Sequence, residues 1–345
     1  MTQHDSGLVA FAAAHSSSQP VRIGSIRRAV QDEEQSVTLA DALRKKIFVA
    51  TSILANPALL LRARQTRDRL GGVSHALLKH RFLLAPFKPF CTHRWTPAQR
   101  LDRMINHLET VSRIGGILRP REEEVRLLSS LPMFEDDYSV RVDEPSWTNK
   151  DGLAALSLWR GTDRLFKITF LLQTIDNELV CLVGGIQGRN GPDMLDLYRD
   201  MTKQMHGLRP RDFMVELHRL FCVALGVKHV LAVSEDGHYF RDPYWGRSAV
   251  QVRQINLDDI WQERGGVLNA DGWFELPLEA PRKDIEQIPA KKRSLYRKRY
   301  ELLDMIAPEM IGAVRQAIGG QADVAQLAAV DVQAKSRMPQ IALAS

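Results

Sequence analysis

Glu235 and His238 are the residue types of a general base and its partner at neutral pH. They lie in Val233-Ser-Glu-Asp-Gly-His238, directly after a run that predicts a β-strand, and ligands collect at the strand ends of open sheets. We therefore expect these two residues to be catalytic. The Glu-Asp-Gly sequence is also common in turns, so a turn without chemistry is the alternative interpretation.

A second candidate is the glycine-rich segment Gly184-Gly-Ile-Gln-Gly-Arg-Asn-Gly191, which we expect to form a loop between a central strand and a helix. Glycine lets backbone amides approach an anion, and an arginine with the helix N-terminus neutralises phosphate or carboxylate. The segment matches neither a Walker A nor a GxGxxG pattern, so a tight turn without ligand is the alternative. The candidate cofactor-binding residues are Gly185, Gln187, Gly188, Arg189 and Gly191.

The segment His206-Gly-Leu-Arg-Pro-Arg-Asp212 links two predicted helices. The planar donor forks of arginine suit an acidic substrate or a phosphate, so His206, Arg209 and Arg211 are candidate substrate-binding residues. In the alternative interpretation, Asp212 caps the second helix and both arginines are solvated.

Metal binding is not required by the pattern of potential ligands. A site would need separated side chains to converge, namely His206, Glu235, His238 and Asp242, and no spacing demands this. The cysteines are odd in number and dispersed, unlike a disulfide framework or a CxxC metal clamp. We therefore expect no metal site and reduced, mostly buried thiols at Cys91, Cys181 and Cys222.

Basic residues are concentrated in one segment. Residues 282–299 contain eight basic and two acidic side chains, and their net charge of +6 equals the formal net charge of the whole chain. We expect a helix there whose cations bind an anionic partner, either nucleic acid, lipid head groups or a phosphorylated cofactor. A merely solvated helix is the alternative. The candidate cations are Lys291, Lys292, Arg293, Arg297, Lys298 and Arg299.

The chain of 345 residues is 44% hydrophobic and 26% charged, which is typical of a folded protein with a buried core. We predict a mobile leader (1–36), a helical region (37–130), a mixed α/β domain with the basic helix (131–320), and a loosely ordered tail (321–345). No apolar run approaches the ~20 residues of a membrane-spanning helix. The start lacks a secretory signal pattern. We therefore expect a cytoplasmic protein.

Local patterns predict the elements that position these candidates. Thr96 and Pro97 begin a helix that Gly115 ends. The run Leu179-Val-Cys-Leu-Val-Gly-Gly185 and the run 227–233 are predicted strands with two helices between them, so we expect them to be parallel neighbours. A long basic helix is expected to begin near Pro289 and to continue towards residue 306.

Taken together and in order, five motifs resemble the VirK/YbjX family of bacterial proteins. They are Gly-Gly-Ile-Gln-Gly188, His206-Gly-Leu-Arg-Pro-Arg211, Val-Ser-Glu-Asp-Gly-His238, Trp261-Gln-Glu-Arg-Gly-Gly266 and Lys-Lys-Arg-Ser-Leu-Tyr-Arg-Lys-Arg-Tyr300. The resemblance covers roughly residues 150 to 306. It implies an intracellular protein of Gram-negative bacteria, linked to virulence and to tolerance of cationic antimicrobial peptides.

The order of elements is also similar to the GNAT-type acyltransferase fold, in which the loop after the central strand binds the pyrophosphate of acyl-coenzyme A. We therefore expect an α+β fold, with a helical N-terminal part followed by a mixed-sheet α/β domain of this type. The leading hypothesis is transfer of an acyl or aminoacyl group from acyl-coenzyme A or another activated donor to an amine or hydroxyl. The alternative is a non-enzymatic virulence or envelope-stress factor that binds anions through its basic helix.

Overall fold

The computed structural model describes residues 39–70, 82–118, 125–135, 137–143, 150–245 and 256–319. The predicted leader and tail lie outside these ranges. The chain divides into two compact units, Met1–Ala42 and Leu43–Ser345. Of the first unit, only the start of one helix is described, and the fold reported below is that of the second.

The described helices are α1 (Leu39–Ala55), α2 (Pro57–Leu70), α3 (Pro97–Ile114), α4 (Met194–Gln204), α5 (Pro210–Leu225), α6 (Leu257–Glu263) and α7 (Ala290–Ala317). The described strands are β1 (Val125–Leu128), β2 (Tyr138–Asp143), β3 (Ala154–Arg160), β4 (Asp163–Ile175), β5 (Glu178–Gly188), β6 (His229–Val233), β7 (Val267–Leu268) and β8 (Trp273–Leu276). The strands form one mixed sheet in the order β1-β2-β3-β4-β5-β6-β8-β7. The protein is therefore α+β, as predicted. The predicted end of the helical region at residue 130 is too late, because the first strand, β1, begins at Val125.

The strands β5 and β6 are parallel, and the other neighbouring strands are antiparallel. The parallel register runs from Val180 opposite His229 to Val183 opposite Ala232. Two helices, α4 and α5, make the crossover between these strands, which confirms the predicted connection. β4 and β5 are joined by a tight turn at Asp176 and Asn177, which both have positive φ.

Helix α3 begins and ends at the predicted residues. The side chain of Thr96 accepts a hydrogen bond from the backbone of Gln99, and the Gln99 side chain accepts one in return from the backbone of Thr96. This capping box satisfies two amide groups that have no partner within the helix. Pro97 occupies the first turn, and Gly115 follows the last helical residue with a φ of 74°.

Hydrophobic cores lie on both faces of the sheet. Along β4, Phe170 and Leu172 belong to the core that contains α5, whereas Leu171 belongs to the core that contains α3. β5 alternates in the same way, so both strands are covered on both sides and have nearly continuous apolar sequences. α7 packs against α5 and β1.

The glycine-rich segment departs from its predicted loop conformation. β5 continues to Gly188, which lies opposite Phe166 of β4, so Gly185 and Gln187 are strand residues. The strand continues because β4 supplies hydrogen-bonding partners beyond residue 183, where β6 no longer does. The pairing shifts by one residue at Gly184, which forms a bulge.

None of the described helices is by itself long and apolar enough to cross a membrane. α1 and α2 together meet the criteria of length and composition, but the chain bends by 92° between them.

Candidate functional site

His238 lies five residues after the end of β6 and is fully buried, and both of its ring nitrogens face polar groups. Nδ1 accepts a hydrogen bond from the backbone N–H of Phe240 at 3.3 Å. Nε2 lies 3.5 Å from Oδ1 of Asp151. Because Nδ1 accepts, the proton of the neutral ring is on Nε2 and points towards the carboxylate. His238 is therefore held as the histidine of a histidine–aspartate pair, in one tautomer and one orientation.

Asp151 also connects His238 to the glycine-rich segment. A Cβ atom on Gly184 would lie only 1.7 Å from the backbone oxygen of Asp151, and one on Gly185 would lie 3.4 Å from its Oδ1. The glycines thus let the residues before β3 cross β5 in direct contact with its backbone. The structure brings His238 and Gly185 to the same carboxylate. Sequence reasoning missed Asp151, because Lys-Asp-Gly before a strand has no feature that distinguishes it from a turn.

Cys91 lies beside this pair in a strained conformation. Its φ is 55°, in the left-handed region that few residues other than glycine adopt. Its N–H donates to the backbone oxygen of Lys150, and its own oxygen accepts from the N–H of Tyr239. Burial, together with the negative charge of Asp151, raises the pKa of the Cys91 thiol well above its ordinary value. The sulfur is therefore protonated and a poor nucleophile in this environment.

Glu235 is engaged with α6. One carboxylate oxygen accepts from the N–H of Leu257, the first residue of that helix, and the other lies 3.6 Å from Nη2 of Arg241. The Glu235 N–H in turn donates to Asp258. Leu257, which donates to Glu235, belongs to the core on the α5 side of the sheet, whereas Cys91, beside His238, belongs to the core on the α3 side. The neighbours of Glu235 and His238 therefore belong to different cores.

The rest of the glycine-rich segment forms a compact turn between β5 and α4. Arg189 pairs with Asp163 at 2.7 Å, and Gln187 is exposed. The Tyr198 hydroxyl donates to the backbone oxygens of Leu165 and Arg189, and burial raises its pKa to about 12. A side chain at position 188 would meet the ring of Phe166 and the hydroxyl of Tyr198, and one at position 191 would approach Met194. The segment is therefore held by contacts within the protein, and the prediction that it binds a cofactor stays a prediction.

The predicted substrate-binding segment lies at the turn between α4 and α5. Arg209 and Arg211 both pair with Glu263, at 3.5 and 2.5 Å, and Arg211 also pairs with Asp212. The backbone oxygen of His206 accepts two hydrogen bonds from Arg299 of α7. The alternative interpretation predicted that Asp212 caps α5, and this is wrong. The N-cap is Arg209, and Asp212 lies in the first turn of the helix.

The six candidate cations of α7 divide into two groups. Arg293 donates to the backbone oxygens of Ile288 and Glu286, and Arg299 donates to His206 and lies over the ring of Tyr296. These two arginines anchor the helix. The other four are exposed and, within the described ranges, have no ion pair or hydrogen-bonded side-chain partner: Lys291, Lys292, Arg297 and Lys298.

Comparison with curated proteins finds bacterial relatives. The chain is 34% identical over 146 residues to a protein of Escherichia coli (strain K12), "Uncharacterized protein YbjX"; the match covers 42% of this chain and 44% of that protein. An uncharacterised protein of Haemophilus influenzae is 29% identical over 263 residues, covering 72% of this chain and 85% of its own length. "Membrane protein LapB" of Mannheimia haemolytica is 29% identical over 149 residues, covering 42% and 63%.

No solved structure matches the chain, so the likeness to the GNAT-type fold has no structural neighbour to support it. The family described as "Protein of unknown function (DUF535)" matches residues 42–311. This range covers most of the chain and includes every candidate residue discussed above. The protein therefore belongs to the DUF535 family, in agreement with the resemblance of its motifs to VirK/YbjX proteins.

Proposed function

We propose that this protein binds anionic membrane surfaces peripherally, through the exposed cations at the N-terminal half of α7. The observation that carries the proposal is the group of four exposed cations at positions 291, 292, 297 and 298, which have no acidic partner among the described residues. A cation close to an anionic lipid surface contributes about 1 kcal/mol to binding. The helical turn of 100° per residue lets about three of the four face one flat surface together, which corresponds to roughly a hundredfold gain in affinity over a neutral surface.

The mode of binding is electrostatic, because the apolar face of α7 is committed to the protein core. Leu302 and Ile306 are buried in the core, whereas Leu295 is 40% exposed. Arg293 and Arg299 hold the helix in place through backbone oxygens. The exposed cations are thus presented on an element that is already ordered, so binding costs little conformational entropy.

Two further points support lipid as the anion. The relative from Mannheimia haemolytica is named a membrane protein. The VirK/YbjX resemblance implies tolerance of cationic antimicrobial peptides, and the surfaces on which such peptides act are anionic membranes. In the cytoplasm, which the sequence predicts as the location, the surface of the inner leaflet carries the required negative potential.

Vesicle sedimentation tests the proposal. Full-length protein is mixed with vesicles of phosphatidylcholine alone or with added phosphatidylglycerol, and we expect binding only to the anionic vesicles. Lys291→Glu combined with Lys292→Glu should weaken that binding at least about tenfold. The matched control is Lys46→Glu with Lys228→Glu, which changes the net charge equally at exposed positions outside α7.

Equal binding of both double variants would contradict the proposal, as would equal binding to neutral and anionic vesicles. A duplex oligonucleotide, added as competitor, separates lipid from nucleic acid. Preference for the oligonucleotide over the vesicles would replace lipid by nucleic acid as the partner.

A second candidate function, acyl or aminoacyl transfer, is favoured by the histidine–aspartate pair at the edge where β5 extends five residues beyond its last pairing with β6. To deprotonate the acceptor, His238 Nδ1 would have to exchange its hydrogen bond from the Phe240 N–H for one from the acceptor, with Asp151 as the orienting partner at Nε2. Glu235 serves α6. The burial of His238 requires this region to open before substrate enters. The expected result is an acyl donor bound in native mass spectra, which His238→Ala retains but no longer transfers to an added amine. The absence of a bound donor from the unaltered protein counts against transfer.

A further inference from the structure

Three potential metal ligands that are distant in the sequence meet in the core between β5 and α5. Cys181 lies on β5, and His218 and Cys222 lie one turn apart on α5. Their ligand atoms are all within 4.8 Å of one another. No other group of three or more His, Cys, Asp or Glu side chains comes together this closely in the part of the chain that the structure describes.

The separations are close to those between ligands of one ion. With bonds of about 2.3 Å to sulfur and about 2.0 Å to nitrogen, tetrahedral zinc ligands are roughly 3.6 Å apart. Cys181 Sγ is 3.5 Å from Nε2 of His218, and Cys222 Sγ is 3.8 Å from the same atom. Cys222 Sγ is equally far from Nδ1 of His218. The Cys222 side chain must therefore rotate before its sulfur can bind the same ion as Cys181 Sγ and His218 Nε2.

The surroundings determine which charge the ion must have. All three side chains are almost completely buried, and the ring of Phe170 packs edge-on against His218 at 5.1 Å. A net charge in such an apolar place costs several kcal/mol. Two thiolates and a neutral imidazole carry two negative charges, which a divalent cation cancels. A monovalent cation would leave one charge uncompensated.

The ligand types select among divalent cations. Thiolates with imidazole are typical ligands of Zn²⁺, whereas Mg²⁺ and Ca²⁺ prefer oxygen. Oxidation of the two thiols to a disulfide would need an oxidant to reach atoms that have no solvent contact. An ion acquired while the chain folds needs no such path, because ligand binding and folding are then one process.

We propose that Cys181, His218 and Cys222 bind one Zn²⁺ ion in the core of the protein. The ion displaces the two thiol protons, which pass to solvent, and no electrons are transferred. The three side chains leave one position of a tetrahedral ion for a non-protein ligand. The site differs from the metal site considered in the sequence, which involved His206, Glu235, His238 and Asp242.

The test is the metal content of full-length protein produced with zinc in the medium and dialysed without chelator. We expect about one zinc ion per chain, reduced at least about tenfold in Cys181→Ala and in Cys222→Ala. Cys91→Ala is the matched control, because Cys91 is an equally buried cysteine that lies in the opposite core. The control should retain its zinc.

A second measurement does not depend on variants that may fold poorly. Unaltered protein is refolded with Co²⁺ in place of zinc, and we expect thiolate-to-cobalt charge-transfer absorption in the near ultraviolet, together with a higher unfolding temperature than without metal. Protein that contains no zinc and shows no such absorption would overturn the proposal. Zinc retained in both core variants would also overturn it, as would a disulfide between Cys181 and Cys222.

Discussion

The backbone oxygen of Asp151 lies against Gly184 so closely that a Cβ atom at position 184 would be 1.7 Å from it. This contact holds the residues before β3 against β5 and places the Asp151 carboxylate beside His238. The glycine at 184 is therefore required by the approach of another backbone segment, and its φ is not in the left-handed region.

Gly184→Ala should lower the free energy of unfolding by about 3 kcal/mol or more, because the new methyl group would overlap the backbone of Asp151 and one of the two segments would have to move. Urea unfolding followed by circular dichroism measures this. The control is Gly312→Ala on α7, where the new methyl group meets no atom within 4 Å. That change should stabilise the helix by roughly 0.5–1 kcal/mol. A Gly184→Ala protein as stable as the original would show that the contact is absent.

Arg100 and Asp242 form a buried ion pair at 3.1 Å that connects α3 to the chain after β6. Burial lowers the pKa of Arg100, and Asp242 opposes this effect. Asp242→Asn should cost about 3–5 kcal/mol of stability, because it leaves the arginine charge buried without a counter-charge. Arg100→Met should cost a similar amount by leaving the carboxylate unpaired.

The double variant, Arg100→Met with Asp242→Asn, should lose less stability than the two single losses added together, by about 0.5–3 kcal/mol. Chemical unfolding of all four proteins measures the coupling. Additive losses would mean that the two charges do not interact.

His107 of α3 makes stability depend on pH. Its burial lowers its pKa to about 4, while its Nδ1 accepts the N–H of Leu172. The unfolded chain binds a proton near pH 6.5, and the folded chain does not until about pH 4. The contribution of the neutral His107 ring to the free energy of unfolding is thus complete above pH 6.5. As the pH falls from 6.5 to about 4, the free energy of unfolding decreases by up to roughly 3 kcal/mol.

His107→Gln removes the titrating group and keeps an acceptor at this position. The difference in unfolding free energy between the two proteins should therefore change between pH 7 and pH 4, with the original losing more. Parallel curves over this range would show that His107 does not titrate as its burial requires.

Membrane binding through α7 should weaken as salt is added, because the four cations are exposed and screened by counter-ions. The screening length shrinks from about 10 Å at 0.1 M to about 3 Å at 1 M ionic strength. We expect sedimentation with anionic vesicles to be largely lost at the higher concentration. Binding that persists at high salt would indicate apolar insertion, which the buried face of α7 does not allow.

Local chemistry was sufficient to predict several elements. Thr96, Pro97 and Gly115 mark the ends of α3 because caps act within one helical turn. The strands at 179 and 227 were predicted as parallel neighbours because a right-handed crossover with helices between two strands has few alternatives. The basic helix was also predicted, although its division into anchoring arginines and exposed cations was not.

The tertiary structure decided which side chains meet. β5 continues through its glycines to Gly188 because β4 offers a partner strand, a fact that depends on residues twenty positions earlier. The pairing of Arg209 and Arg211 with Glu263, the contact of Asp151 with His238, and the meeting of Cys181 with His218 and Cys222 all join distant segments. Such contacts depend on strand register and on which face of the sheet each helix covers. Sequence periodicity determines neither, because it reports only which residues of an element are buried and not what they are buried against.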